Sequence, residues 1–205
     1  MANISIAGRI SNIVDQDIDS QANIDPSKLA LRNGMKFGVP LTSLRVHDAF
    51  GTVLGAAAND DLGIDGQTFG TGVPVITAGN VTGGASTRYA RFKMQVPANY
   101  EADQNLSIRL RAGMLTAVCS TSCTIDVEAY RCGQDGLVDG TDLVTTAAQD
   151  MNSLTFADKD FALTDTNLLP GDEIDVRIAI AYSDGATPTT KPTISNIWQL
   201  VHTRG

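Results

Sequence analysis

Cysteine, histidine and aromatic residues are all scarce in this chain, and each scarcity narrows what the protein does. Among 205 residues there are three cysteines, two histidines, one tryptophan, four tyrosines and six phenylalanines. The thiols, Cys119, Cys123 and Cys132, form an odd set that does not close into a disulfide framework. They are expected to be reduced and packed, with a Cys119–Cys123 bond as the alternative. A structural zinc site needs four ligands, as paired cysteines or cysteines with histidines. His47 and His202 stand far from the thiols and from each other, so no zinc site, other metal site or cofactor is expected. A basic stripe is missing too. The net charge is −8, with residues 1–50 balanced at five acids and five bases and residues 126–175 holding twelve acids and two bases. Such an acidic surface speaks against nucleic-acid binding and for a solvated face. No apolar run approaches the ~20 residues of a membrane span. Met1–Gly8 has neither the basic start nor the apolar core of a secretory leader. The expectation is no membrane partner, and a protein made in a cytoplasm and kept or assembled there.

What the chain has is alternation. After the turn at Pro170 and Gly171, Ile174, Val176, Ile178 and Ile180 fall on one side of a period of two, and Glu173, Asp175 and Arg177 on the other. Ala90, Phe92, Met94 and Val96 alternate with Arg91, Lys93 and Gln95. Leu106, Ile108, Leu110 and Ala112 alternate with Ser107, Arg109 and Arg111. Cys123, Ile125, Val127 and Ala129 alternate with Thr124, Asp126 and Glu128. Connections between these last three are turn-sized, which predicts antiparallel neighbours. Arg91, Lys93, Arg109 and Arg111 would then face Asp126 and Glu128 in ion pairs contributing about 0.2–1 kcal/mol each. Residues 153–156 and 161–163 read as a short strand–turn–strand. Residues 142–149 read as a helical turn or an edge strand. From Ile194 to His202, Ile197 and Val201 oppose Trp198 and Leu200, so this strand is apolar on both faces, as a central or interface strand is. About eight strands with little helix predict an all-β protein, an antiparallel two-sheet β-sandwich of jelly-roll-like type.

The sandwich is expected over residues 41–205. Residues 1–40 lack a sustained period and scatter isoleucines among polar residues, with a short helix expected over Ser27–Arg32. They read as an extended N-terminal arm ordered by a partner; the other readings are a tail, or an extra edge strand packed on the domain itself. The glycine-rich stretch 49–86 reads as long loops and short strands of the kind that make contacts.

No constellation marks a catalytic site. There is no Gly-x-Ser-x-Gly elbow, and His47 and His202 lack an oriented nucleophile, so both read as structural or surface residues. The paired acids Asp60/Asp61, Asp158/Asp160 and Asp172/Glu173/Asp175 carry no mark of a glycosidase pair. Asn59–Asp65 matches a calcium loop only in part, and Gly63–Gly72 lacks the lysine ending of a phosphate loop. Few aromatics remain to serve as sugar platforms. The reading is a non-enzyme without catalytic, cofactor or metal residues.

Six stretches together carry a resemblance: Pro40–Ala49, Ala58–Gly63, Arg88–Phe92, Arg111–Thr116, Asn152–Phe161 and Pro170–Arg177. They resemble a family of virion structural proteins encoded in tailed-bacteriophage and prophage genomes, over about residues 40–205. The resemblance implies a capsid decoration (cement) protein on the exterior of an icosahedral shell, assembled in the host cytoplasm. It also implies the major capsid protein as partner and self-association as a homotrimer at three-fold positions. The alternative is a tail or baseplate adaptor, or a fibre-tip domain binding host-surface glycan. The resemblance supplies no catalytic residues.

Overall fold

Residues 33–100, 105–133, 135–164, 168–185 and 189–203 are described by the computed structural model on which the following rests. The strands, in chain order, are β1 (Asn33–Gly38), β2 (Gly63–Asp65), β3 (Val75–Thr77), β4 (Gly84–Gln95), β5 (Leu106–Met114), β6 (Ser122–Cys132), β7 (Val138–Asp139), β8 (Gln149–Asp150), β9 (Ala157–Leu163), β10 (Glu173–Asp184) and β11 (Pro192–Thr203). A single 3-10 turn, Leu41–Ser43, is the helical structure among the described residues. One sheet runs β2-β3-β11-β5-β9, with β1 also on β11; the other runs β4-β10-β6-β7, with β8 also on β6. All strand pairs are antiparallel. The expected all-β, two-sheet sandwich is therefore present.

The alternating residues do what their period requires. Ile174, Val176, Ile178 and Ile180 of β10 are each 0 % exposed, as are Phe92 of β4 and Ile125 of β6. From the facing sheet, Ile108, Leu110, Phe161, Ile194 and Ile197 close the same core. Burial of this apolar surface is the main driving term for the fold. β11 is central in its sheet, between β5 on one side and β1 and β3 on the other. That position accounts for its apolar residues on both faces.

Three expectations change. First, β4, β5 and β6 are not neighbours. The chain changes sheet at each connection, and β10 lies between β4 and β6. The ion pairs follow: Lys93 Nζ lies 3.1 Å from Glu173, Arg177 2.7 Å from Glu128, and Arg109 and Arg111 pair with Asp158 and Asp160 of β9. Asp126 instead accepts a bond from the Val127 N–H. Short connections suit a hairpin and a sheet-to-sheet crossing equally well, so length alone misassigned the partners. Second, β9 is one strand. Residues 153–156 are loop, where Phe156 closes over Gly113 so tightly that a Cβ there would lie 3.1 Å from its ring. Third, a strand of the sandwich precedes residue 41. Asn33–Gly38 pairs with Thr203–Trp198, so this part of the expected arm is a strand of the domain itself. The rest of the arm, with the helix expected at Ser27–Arg32, lies outside the described residues.

Loop backbone covers parts of two edges among the described residues. On one side Arg45 exchanges two main-chain bonds with Arg91, and Asp60 and Leu62 bond to Tyr89, all on the free edge of β4. One residue later the chain joins the other sheet as β2. On the other side Leu143 bonds to Ala129 of β6 and to Thr164, just past β9, while Thr145 bonds to Ala162 of β9. Satisfied edges do not recruit foreign strands.

The crossing at Gly63 leaves no space for a side chain, because a Cβ would fall 1.9 Å from the Ala57 backbone nitrogen. Gly63→Ala is expected to cost about 1–3 kcal/mol or more, as overpacking does, read as a lowered urea midpoint at unchanged m. The β10–β11 connection is tied to β2 by Lys191 and Asp65. Lys191 holds the Asp65 carboxyl below its ordinary 3.8, with help from the Gln67 N–H. A lowered folded pKa stabilises fully above the unfolded value and loses that contribution as pH falls through the folded one. The stability difference between wild type and Lys191→Met should therefore be constant near neutrality and shrink below pH 3.8; denaturation curves across pH 2–7 check this.

Candidate functional site

The outer face of the β4-β10-β6 sheet holds the densest set of polar side chains tied to one another. Alternation puts Tyr89, Arg91 and Lys93 of β4, Asp175 and Arg177 of β10, and Glu128 and Tyr130 of β6 on this face. The cross-strand register sets Arg177 opposite both Arg91 and Glu128. Arg91 grips Asp175 through Nε (2.7 Å) and Nη2, and its Nη1 reaches the His47 carbonyl at 3.3 Å. Its guanidinium carbon lies 5.2 Å from the Phe50 ring centroid. Arg177 donates to both oxygens of Glu128 and lies over Tyr89, 4.9 Å from its centroid. Partner carboxylates push both arginines above their ordinary pKa, against the effect of burial.

The loop that seals the edge of β4 supplies the wall. His47 packs on Tyr89 at a centroid distance of 4.7 Å and presents Nδ1 to Asp61 (3.3 Å) and Nε2 to Asp60 (3.6 Å). His47, Arg91, Glu128, Tyr130, Val138, Asp175 and Arg177 line a cavity of about 290 Å³. Here His47, Asp60 and Asp61, separate in sequence, come together; so do Arg91 and Asp175. Four of the six stretches that carry the resemblance converge on this wall and floor, through His47, Asp61, Arg91 and Asp175.

The other residues singled out by sequence lie apart. Asp158 and Asp160 are neutralised by Arg109 and Arg111 on the opposite face of the molecule, Glu173 by Lys93, and Asp172 sits 3.7 Å from Arg131. Trp198 lies under Lys36, whose Nζ is 3.5 Å from the ring centroid. His202 falls in β11. All three cysteines are unbonded; burial drives the Cys123 thiol well above its ordinary pKa, and Cys132 is raised for the same reason. A thiol held protonated is a poor nucleophile. Sequence reasoning passed over Phe50, Tyr89 and Tyr130, whose value is positional and appears only once the β10 register is known.

No family model matches the chain, and none of the curated proteins does. Among solved structures it is similar to the xylan-binding module CBM15, at 15% identity and TM-score 0.44, covering 84% of this chain and 100% of that one. It is similar to the CBM22-1 xylan-binding domain of Paenibacillus barcinonensis Xyn10C at 9% identity and TM-score 0.39, covering 71% and 82%. A structure of infectious bursal disease virus, Gt strain, gives 12% identity and TM-score 0.31, covering 73% and 42%. What these share with the chain extends no further than β architecture.

The Asp175 side chain is 11 % exposed, whereas Asp158 and Asp160 are far more open. Arg91→Ala strands a largely buried carboxylate and should cost about 2–4 kcal/mol, while Arg109→Ala should cost under about 1 kcal/mol. Chemical denaturation of the two variants side by side checks the ranking.

Proposed function

We propose that the protein is a non-enzymatic virion structural protein, a decoration protein that docks on the outer surface of an icosahedral capsid and braces neighbouring shell subunits. The observation that carries this reading is where apolar surface remains exposed. Phe69 is fully exposed, at 102 %, on the glycine-rich loop between β2 and β3, and Val73 follows it. Leu137, Leu154 and Leu169 stand out at other loop tips. Exposed large apolar groups on connections, above a scaffold whose edges are partly covered, suit docking through loops rather than strand addition. The family resemblance supports the same reading, as does the acidic composition, which keeps a protein at high copy number soluble. The self-association expected is a trimer matching the shell's three-fold positions. The paired acids of the sheet strands, Asp158/Asp160 and Glu173/Asp175, are neutralised by arginines and a lysine, which favours binding over hydrolysis.

Quantitative peptide mass spectrometry on gradient-purified particles tests this. A molar ratio to the major shell protein near one to one, or a simple fraction of it, is expected. A few copies per particle would move the protein to the tail, and absence would sink the proposal. Phe69→Ser should weaken recapture by stripped particles without lowering Tm, because the side chain buries nothing in the free protein.

A further inference from the structure

His47 stands between carboxylates on both sides of its ring. Each ring nitrogen faces a carboxylate oxygen, Nδ1 toward Asp61 at 3.3 Å and Nε2 toward Asp60 at 3.6 Å. A neutral ring has one N–H. Whichever tautomer forms, one nitrogen lone pair points at an anion. Asp48 joins from the adjacent position: one ligand atom each from His47, Asp48 and Asp61 lies within 4.8 Å of the others. Among the described residues, no lysine or arginine forms a salt bridge with Asp48, Asp60 or Asp61; the nearby guanidinium of Arg91 is committed to Asp175. Three carboxylates thus converge on one imidazole with a deficit of positive charge.

The geometry points to a divalent transition-metal site, with His47 Nδ1, Asp61 and Asp48 as ligands and the Asp60 carboxylate, 3.6 Å from Nε2, adding negative charge beside it. The 3.3 Å between Nδ1 and the Asp61 oxygen is long for an N–H···O bond, whose usual length is ~2.9 Å. It suits two ligands that share an ion at ~2.1 Å each, which tetrahedral and octahedral geometries separate by roughly 3.0–3.4 Å. Contact with Tyr89 and the Arg91 bond to the His47 carbonyl hold the imidazole in place. Mixed nitrogen and carboxylate donors select Mn2+ or Zn2+ over Ca2+, which takes oxygen ligands. The ion would clip together the chain at 47–48 and the turn at 60–61, two points of the segment that seals β4. This inference does not depend on the capsid reading.

The test is calorimetric titration of the chelator-stripped full chain with Mn2+, Zn2+ and Ca2+, with Tm measured alongside. One Mn2+ or Zn2+ per chain, a raised Tm, and Ca2+ weaker by at least about tenfold are expected. His47→Gln and Asp61→Asn should each abolish binding. A bound Co2+ probe should show visible ligand-field bands that are lost in His47→Gln. Asp48 is exposed, so Asp48→Asn tests a ligand with little risk to folding. Failure of both transition metals to bind overturns the proposal. So does binding that is unchanged in Asp48→Asn and His47→Gln, or Ca2+ binding of equal strength.

Discussion

Unpaired strand edges are the constraint that shapes this molecule. Two stacked sheets have four outer edges, and every edge offers a row of backbone donors and acceptors that has to be paired, solvated or covered. The chain uses its longest irregular segments for that purpose. Residues 45, 60 and 62 bond to β4 and residues 143 and 145 bond between β6 and β9, so stretches that look like excess loop supply edge hydrogen bonds to both sheets. Once 44–62 is committed to β4, His47, Asp60 and Asp61 are brought beside Tyr89 and Arg91. The polar wall on the outer face follows from closing an edge.

The same geometry separates the protein's two kinds of surface. The outer sheet faces carry charges paired across strands, and such pairs bind little beyond each other. The connections at both ends carry the unpaired apolar residues. The unpaired carboxylates of the wall beside β4 are the exception to the general neutrality.

Much of the fold was legible because burial imposes a period. Every β10 residue that alternation placed inside is inside, and the two apolar faces of β11 match its central position. What alternation does not carry is partnership. The same Arg–Asp pattern pairs a strand with a sequence neighbour or with one eighty residues away, so Arg91 was matched to Asp126 and Glu128 when its partner is Asp175. The strand before residue 41 went unplaced for a related reason. Asn33–Gly38 is short, contains two glycines and has one face half-open, so it shows almost no alternation, and only β11 makes it a strand. The histidine wall was invisible because its members come from separate turns that only the edge-sealing path brings together.

β11 occupies the middle of its sheet yet comes last among the strands in chain order, with Thr203 paired to Asn33 and Val201 to Leu106. During synthesis, β1, β3 and β5 are made long before the strand that joins them. Half of the core then waits, with its apolar face open, until residues 192–203 emerge from the ribosome. Pairings of such long sequence separation fold slowly and leave intermediates prone to aggregate. The topology thus leaves the closing of one sheet to a pairing between strands far apart in sequence.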